Sequence, residues 1–365
     1  MVTDGDAPET QPRVVHVWIK SDEDGRVASG ARVWERPLPA SPYVSLVPGA
    51  DGTPSDPDAS AFDHAAYFDA LKTRVYGRTL MTAGTLPSTQ TLVQDNSSAH
   101  PGSLPRGVAC VADTQSGGRG RGGNQWTSPP GCLMFSLLAR HPDGRTLPFI
   151  QYVATMAAVD AIQEAADQAL VDAGVAGAGF RRGTGRTVDV RVKWPNDLYC
   201  GDAKIGGVLC ASTYDDGGFD VVVGVGINLD NAEPTTCVNR IIAERVARAR
   251  DASSSSTSPS SPPTPLTRER LMASFANRFE ALAGMLNAAG GFEPLEEAYL
   301  RQWLHTDQVV TLEEEGGARP RLTVKGITKT GYLLAVDAAG ARYELHPDGN
   351  SFDFFKGLVR KKMQS

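Results

Sequence analysis

The chain of 365 residues has no apolar run of membrane-spanning length, and its five cysteines form no Cys-x-x-Cys pair. The first absence predicts a protein that does not enter a bilayer. The odd cysteine count, in strand-like settings, argues against a disulfide framework and predicts that Cys110, Cys132, Cys200, Cys210 and Cys237 are small buried hydrophobes. The six histidines are scattered without His-Glu-x-x-His or similar spacing, so no structural zinc is expected. No Gly-x-Ser-x-Gly elbow exists and no Gly-Lys-Ser/Thr closes a phosphate loop, which weakens hydrolase and P-loop kinase readings. Positive charge is outnumbered, 36 Lys and Arg against 42 Asp and Glu, and the net charge of −6 argues against a general attraction to nucleic acid or to an anionic membrane. The acidic start Met1-Val2-Thr3-Asp4-Gly5-Asp6 lacks the basic character of signal and transit peptides, so a reducing, cytoplasmic setting is expected.

Against that background, Gly118-Arg119-Gly120-Arg121-Gly122-Gly123-Asn124-Gln125-Trp126 stands out. Glycines let backbone N–H groups converge, and each guanidinium grips a phosphate or carboxylate with two parallel hydrogen bonds. The run formally fits Gly-x-Gly-x-x-Gly, but the dinucleotide reading needs a helix to open inside it. Thr127-Ser128-Pro129-Pro130-Gly131 follows instead, and two prolines and a glycine do not open such a helix. An RNA-binding Arg-Gly segment would be repeated, and this one occurs once. Apolar runs at 108–112 and 132–138 make the loop a connection between two strands.

A chain of this length supports two or more domains. Residues 1–61 mix short apolar pieces, such as Val14 to Ile19, with turn-rich stretches and read as a partly disordered extension. A folded core is expected from Phe62, with a helix-like pattern leading to Leu80. Ile150, Val153, Met156 and Ala157 recur at helical spacing and predict a helix over 149–170. A glycine-rich and alanine-rich loop is expected over 174–185. Val188, Val190, Val192 and Trp194 then alternate with polar residues as a half-buried strand, followed by Pro195-Asn196-Asp197 and a hairpin at Gly201-Asp202. A further strand, 221–229, carries Gly224 and Gly226 mid-strand, a sign of a bulge or of close approach by a ligand or backbone. A helix is expected over 241–249 and a mobile Ser/Pro-rich insertion over 251–265. Two helices are marked by Leu271, Phe275, Phe279, Leu282 and Met285, and by Phe292, Leu295, Tyr299 and Trp303. From 305 onward short strands with turns predict a small β-barrel.

Four islands then share one explanation: Ser88-Thr89-Gln90; the Arg-Gly loop with Gln115 before it; Lys193-Trp194-Pro195-Asn196-Asp197-Leu198 with Lys204 beyond; and Gly224-Val225-Gly226-Ile227-Asn228-Leu229. In order and spacing they closely resemble the biotin protein ligases, or holocarboxylase synthetases, from about Phe62 to the C-terminus. The tail His346 to Asp353 resembles the eukaryotic branch. The resemblance implies an α+β fold: a mixed sheet with packed helices at 62–304, of the class II synthetase-like biotin/lipoate ligase type, then an SH3-like barrel at 305–365. It implies adenylation of biotin by MgATP, then transfer to a lysine of the biotin carboxyl carrier domains of carboxylases. No enzyme nucleophile is needed, which agrees with the lack of any triad.

By the same resemblance Arg119, Gly120 and Arg121 line the biotin and adenylate site. Lys204 contacts the biotin carboxylate and the α-phosphate, and Gly207 belongs to the biotin pocket. Ser88, Thr89, Gln90 and Gln115 bond the biotin head group, whose ureido ring needs donors and acceptors. Lys193, Asn196 and Asn228 fall on the nucleotide side. Asn196 and Asp197 are placed to orient phosphate, magnesium or the incoming lysine, with turn capping as the plainer role. Trp126 either stacks on adenine or belongs to the core. No helix-turn-helix is visible in residues 1–60, so DNA regulation is not expected. The competing readings are a lipoate ligase and a nucleic-acid-binding module acting through Arg119 and Arg121.

Overall fold

The computed structural model describes residues 13–20, 27–29, 44–48, 60–99, 104–175, 188–252, 262–313, 318–347, 350–353 and 358–361. The larger of two sheets contains β1 (Arg13–Lys20), β2 (Val27–Ser29), β3 (Val44–Pro48), β4 (Thr79–Leu86), β5 (Ala109–Gln115), β6 (Cys132–His141), β7 (Val190–Lys193), β8 (Asp197–Cys200), β9 (Ala203–Asp215) and β10 (Gly218–Asn228). The strands lie in the order β2-β1-β4-β5-β6-β10-β9-β8-β7, with β3 beside β1. The sheet is mixed: β4 and β5 are parallel, as are β1 and β3, whereas β5, β6, β10 and β9 alternate in direction. The helices are α1 (His64–Ala70), α2 (Thr89–Ala99), α3 (Ile150–Asp172), α4 (Val238–Ala252), α5 (Arg268–Ala289) and α6 (Glu293–Gln302).

Side chains alternate across a strand, so each face of the sheet collects its own core. Leu133, Phe135 and Leu137 of β6 and Val221, Val223 and Val225 of β10 join Met156, Phe275 and Phe279 of α3 and α5. The other face collects Leu138, Val222, Met81 and Cys110 with Leu92 and Val93 of α2. Each fully buried side chain of this kind contributes roughly 1.5–3 kcal/mol. Along β6 and β10 the positions that face away from the main core include Met134, Ser136, Gly224 and Gly226. Those four form part of a cavity floor.

The smaller sheet contains β11 (Val309–Glu313), β12 (Arg321–Ile327), β13 (Leu333–Val336), β14 (Arg342–Leu345), β15 (Asn350–Asp353) and β16 (Leu358–Lys361), in the order β14-β13-β12-β11-β16-β15. Its first four strands form an antiparallel curl, and β16 joins β11 in parallel. This is the small C-terminal β unit expected from the short strands.

Three expectations change. Residues 13–20 are not a loose extension: β1 pairs with β4, and Val15 and Val17 are buried. Lys20 donates to the carbonyls of Phe68 and Leu71, and Trp18 stacks on His64. The helix leading to Leu80 is instead the short α1 followed by a turn and β4. Glu280 accepts backbone N–H bonds from Arg74, Val75 and Tyr76, and Asn277 accepts one from Lys72, so the turn is fixed by α5. The helix expected over 241–249 runs from Val238 to Ala252, taking up the first residues of the Ser/Pro-rich insertion. Most of that insertion, and most of the 174–185 loop, lie outside the described residues.

Cys110, Cys132 and Cys237 are buried as expected, whereas Cys200 and Cys210 are half-buried. All five are free, and burial pushes the thiols of Cys110, Cys132 and Cys210 up to about 12.

Candidate functional site

Ser88 follows β4 and starts α2, the helix of the crossover to β5. Its carbonyl accepts the Leu92 N–H, and its hydroxyl accepts the Thr91 N–H at 3.3 Å, an N-cap arrangement. That turn places Thr89 and Gln90, both buried, over the sheet. Gln115 Oε1 accepts from the Thr89 N–H at 2.8 Å and from its hydroxyl at 3.2 Å, while Gln115 Nε2 donates to Ser128 Oγ at 3.1 Å. Thr89 Oγ1 lies 3.0 Å from Ser136 Oγ, and Ser136 donates to Gln90 Oε1. Gln90 Nε2 donates to the Val222 carbonyl at 3.2 Å. A buried polar chain therefore crosses β5, β6 and β10. Gly224 makes room for it, since a Cβ there would lie 2.1 Å from Gln90 Oε1.

The Arg-Gly loop is a tight excursion closed by Trp126 N to Gly118 O at 2.9 Å and Gly120 N to Asn124 O at 2.7 Å. A single 3-10 turn, Arg121–Gly123, stands where a dinucleotide fold would start a long helix. Gly122 and Gly123 have φ of +64° and +80°, conformations that favour glycine. The Trp126 indole lies across Gly226, where a Cβ would come within 2.7 Å of the ring. The mid-strand glycines of β10 thus admit side chains, and the β6-β10-β9 register shows no bulge.

A bulge does occur one strand over. Asp197 pairs with Gly207 and Leu198 with Gly206, but Tyr199 pairs with Lys204, leaving Ile205 extra. Strict alternation would put Lys204, three residues from Gly207, on the opposite face. The bulge turns it onto the face of Asp197 and Gly207. Lys204 Nζ reaches Asp197 Oδ1 at 2.6 Å, and Lys193 Nζ lies 3.8 Å from Asp197 Oδ2. Asn196 donates to the Val208 carbonyl at 2.7 Å and accepts from Arg121 Nη1 at 3.4 Å. Arg121 also donates to the Pro347 carbonyl from the C-terminal unit.

These groups converge on one cavity of about 420 Å³, within the range of small-molecule sites. Every residue expected from the sequence lines it except Asn228. Asn228 is buried beside it, donating to Thr235 Oγ1 at 3.1 Å and to the Lys204 carbonyl at 3.5 Å, so it steadies the backbone of Lys204. Ser136, Ser128 and Pro347 were not anticipated as parts of the site; Ser136 is signalled by one hydroxyl inside the apolar run 132–138. Among the described residues no group of three or more His, Cys, Asp or Glu could hold a metal ion.

A polar, buried end next to two arginines and two lysines suits a ligand with a hydrogen-bonding head and an anionic reacting end. Such a site fits the ligases that activate a carboxylate, the class whose motifs this sequence resembles. Residues 83–228 match the model of the biotin/lipoate A/B protein ligase family. Chloroplastic biotin-protein ligase 1 of Arabidopsis thaliana is 39% identical over 350 residues, covering 94% of this chain and 86% of its own. Biotin-protein ligase 2 of the same plant is 40% identical over 309 residues, 84% of each chain. The Aquifex aeolicus biotin protein ligase solved with biotin and ATP has a similar fold, with a TM-score of 0.51 at 21% identity, over 73% of this chain and 94% of that one. The chain belongs to the biotin-protein ligase family, of the eukaryotic type.

Proposed function

We propose that this cavity is where the enzyme joins biotin to ATP and passes the biotinyl group to a lysine of a carrier domain of biotin-dependent carboxylases. A biotin carboxylate oxygen attacks the α-phosphorus, the new O–P bond forms, and pyrophosphate leaves with the electron pair of the broken bond. The neutral lysine amine then attacks the biotinyl carbonyl carbon, the C–N bond forms, the acyl C–O bond breaks, AMP leaves with its electron pair, and the nitrogen releases a proton to solvent. The observation that carries this reading is the convergence of Arg119, Arg121, Lys193 and Lys204 on a cavity whose other end is the buried Ser88-Thr89-Gln90 turn.

The roles come from the family resemblance, and that placement supports them. Ser88, Thr89, Gln90 and Gln115 meet the ureido ring, with Ser136 ordering their hydroxyl and amide dipoles. Lys204 offsets charge where carboxylate and α-phosphate meet, held by Asp197 until the ligand enters. Arg119 and Arg121 close over the adenylate and exclude water from the mixed anhydride. Trp126 lies with one face on Gly226 and Lys204 Nζ 5.8 Å from its ring. Lys193 and Asn196 steady the nucleotide phosphates. Asp197 orients the incoming amine. Magnesium enters with the triphosphate as part of the nucleotide substrate.

No helix among the described residues is long and apolar enough to cross a membrane. We place the reaction in the cytoplasm; import of the tagged chain into an organelle would contradict that. Lipoate is the less supported substrate, because the relatives that match along most of the chain are named for biotin. Pyrophosphate release with biotin and MgATP, run beside lipoate, tests the activation step: release with biotin alone is expected, and release with lipoate alone would overturn the reading.

A further inference from the structure

His305 sits between α6 and β11, fully buried and outside the cavity lining. Its Nε2 lies 2.8 Å from the backbone N of Trp194. A peptide N–H only donates, so Nε2 must present a lone pair. The ring proton then belongs to Nδ1, which lies 2.9 Å from Gln308 Oε1. One neutral tautomer satisfies both neighbours. Burial, aided by the nearby Lys193 charge and opposed by the Gln308 bond, pushes this imidazole down to about 4. It is therefore an acceptor throughout the neutral range.

Trp194 precedes Pro195-Asn196-Asp197, and the C-terminal unit holds it twice. His305 takes its main-chain N–H. Its indole donates to the Tyr152 hydroxyl at 2.8 Å, and Tyr152 donates in turn to the Gly331 carbonyl, between β12 and β13. Leu304 N also donates to the Val192 carbonyl at 3.0 Å. The turn that presents Asn196 to Arg121 and Asp197 to Lys204 is thus pinned from behind.

We propose that His305 is a positioning residue for the reaction, its neutral Nε2 fixing the Trp194 backbone and through it the aim of Asn196 and Asp197 into the cavity. This rests on the function proposed above. Without the acceptor, the buried N–H must find another partner, and the turn shifts to provide one. Displacements of about 1 Å at reacting groups cost on the order of a hundredfold in rate.

Two substitutions separate positioning from bulk. The terminal amide of glutamine reaches the place of Nε2, whereas that of asparagine stops near Nδ1. We expect His305→Asn to lose at least about tenfold in kcat for adenylate formation, with KM for biotin within about twofold, and His305→Gln to recover to within about threefold of wild type. Thermal unfolding and near-UV circular dichroism confirm that both are folded. Near-normal kcat in His305→Asn, or equal losses in two folded variants, would overturn the proposal. Should His305→Asn fail to fold, Gln308→Leu carries the test. It removes the acceptor that selects the Nδ1–H tautomer, and a several-fold fall in kcat is expected; unchanged kcat would contradict the proposal. A wild-type protein inactive with biotin would instead sink the assigned function, leaving the two failures distinct.

Discussion

Asp197 ties together two cations of the cavity. It holds Lys204 at 2.6 Å while Lys193 remains at 3.8 Å, so under the proposed function the arriving anion meets two cations already in place. All three side chains are partly exposed, and such pairs contribute only about 0–1 kcal/mol to stability. Lys204→Ala is therefore expected to leave the unfolding midpoint nearly unchanged and to slow adenylation about a hundredfold, the usual cost of losing one transition-state donor. A pyrophosphate-release assay beside a melting curve separates the two effects, and a normal rate would make Lys204 a surface residue. Arg121→Ala is expected to release biotinyl-adenylate faster. Unchanged retention after gel filtration would remove Arg121 from the site.

His305 leaves a pH signature at the same scale. Its neutral form is favoured on folding, so the unfolded chain binds more protons between the ordinary value of 6.5 and about 4. The contribution is present above pH 6.5 and is lost as the pH falls toward 4, on the order of 3 kcal/mol in total. The stability of wild type relative to His305→Gln should decline over that window; a constant difference would contradict the burial account. At this scale the sequence was legible where residues travel in a motif: Arg119, Arg121, Asn196 and Asp197 announce themselves. Lys204 taken alone is an ordinary lysine near a turn. His305 could not be read, because its partner lies 111 residues away in the chain; Ser136 left only the mark of one hydroxyl in an apolar run, its partner Gln90 lying 46 residues away.

Among elements, β10 and β9 shape the site most. Gly224 and Gly226 were visible as anomalies in a strand, but not that Gln90 and Trp126 occupy the space they leave. Gly224→Ala pushes a methyl into Gln90 and should cost about 1–3 kcal/mol of stability while raising KM for biotin. An unchanged KM would separate Gln90 from the head-group pocket. The bulge that turns Lys204 toward Asp197 leaves no mark in the sequence, since only register reveals the extra Ile205. Helix α2 was also hidden: Thr89–Ala99 is mostly polar, and its buried face combines Leu92 and Val93 with the polar Thr89, Gln90, Asn96 and Ser97. Strand β1 was underestimated because its partner, β4, begins 59 residues after it ends. Removing residues 1–20 should lower the melting temperature by several degrees through loss of the buried Val15 and Val17 and of the Lys20 contacts with α1; no change would show that β1 contributes nothing.

For the molecule as a whole, the negative net charge makes the cluster of cations in the cavity a local feature rather than part of a basic surface. The C-terminal sheet is coupled to that cluster by Pro347 on Arg121, Gly331 on Tyr152 and His305 on Trp194. Its outline as short strands was legible from turn spacing, whereas its grip on the cavity depends on the backbone carbonyls of Gly331 and Pro347 and on the buried His305 ring, which no sequence pattern marks. Under the proposed function one cavity both activates biotin and delivers it to a lysine. The most direct test is transfer of labelled biotin, with MgATP, to a purified biotin carrier domain and to its variant with the acceptor lysine changed to arginine, alongside lipoate with a lipoyl domain. Label on the lysine-bearing biotin carrier alone is the predicted result; label that follows lipoate, or no transfer to any carrier, would contradict it.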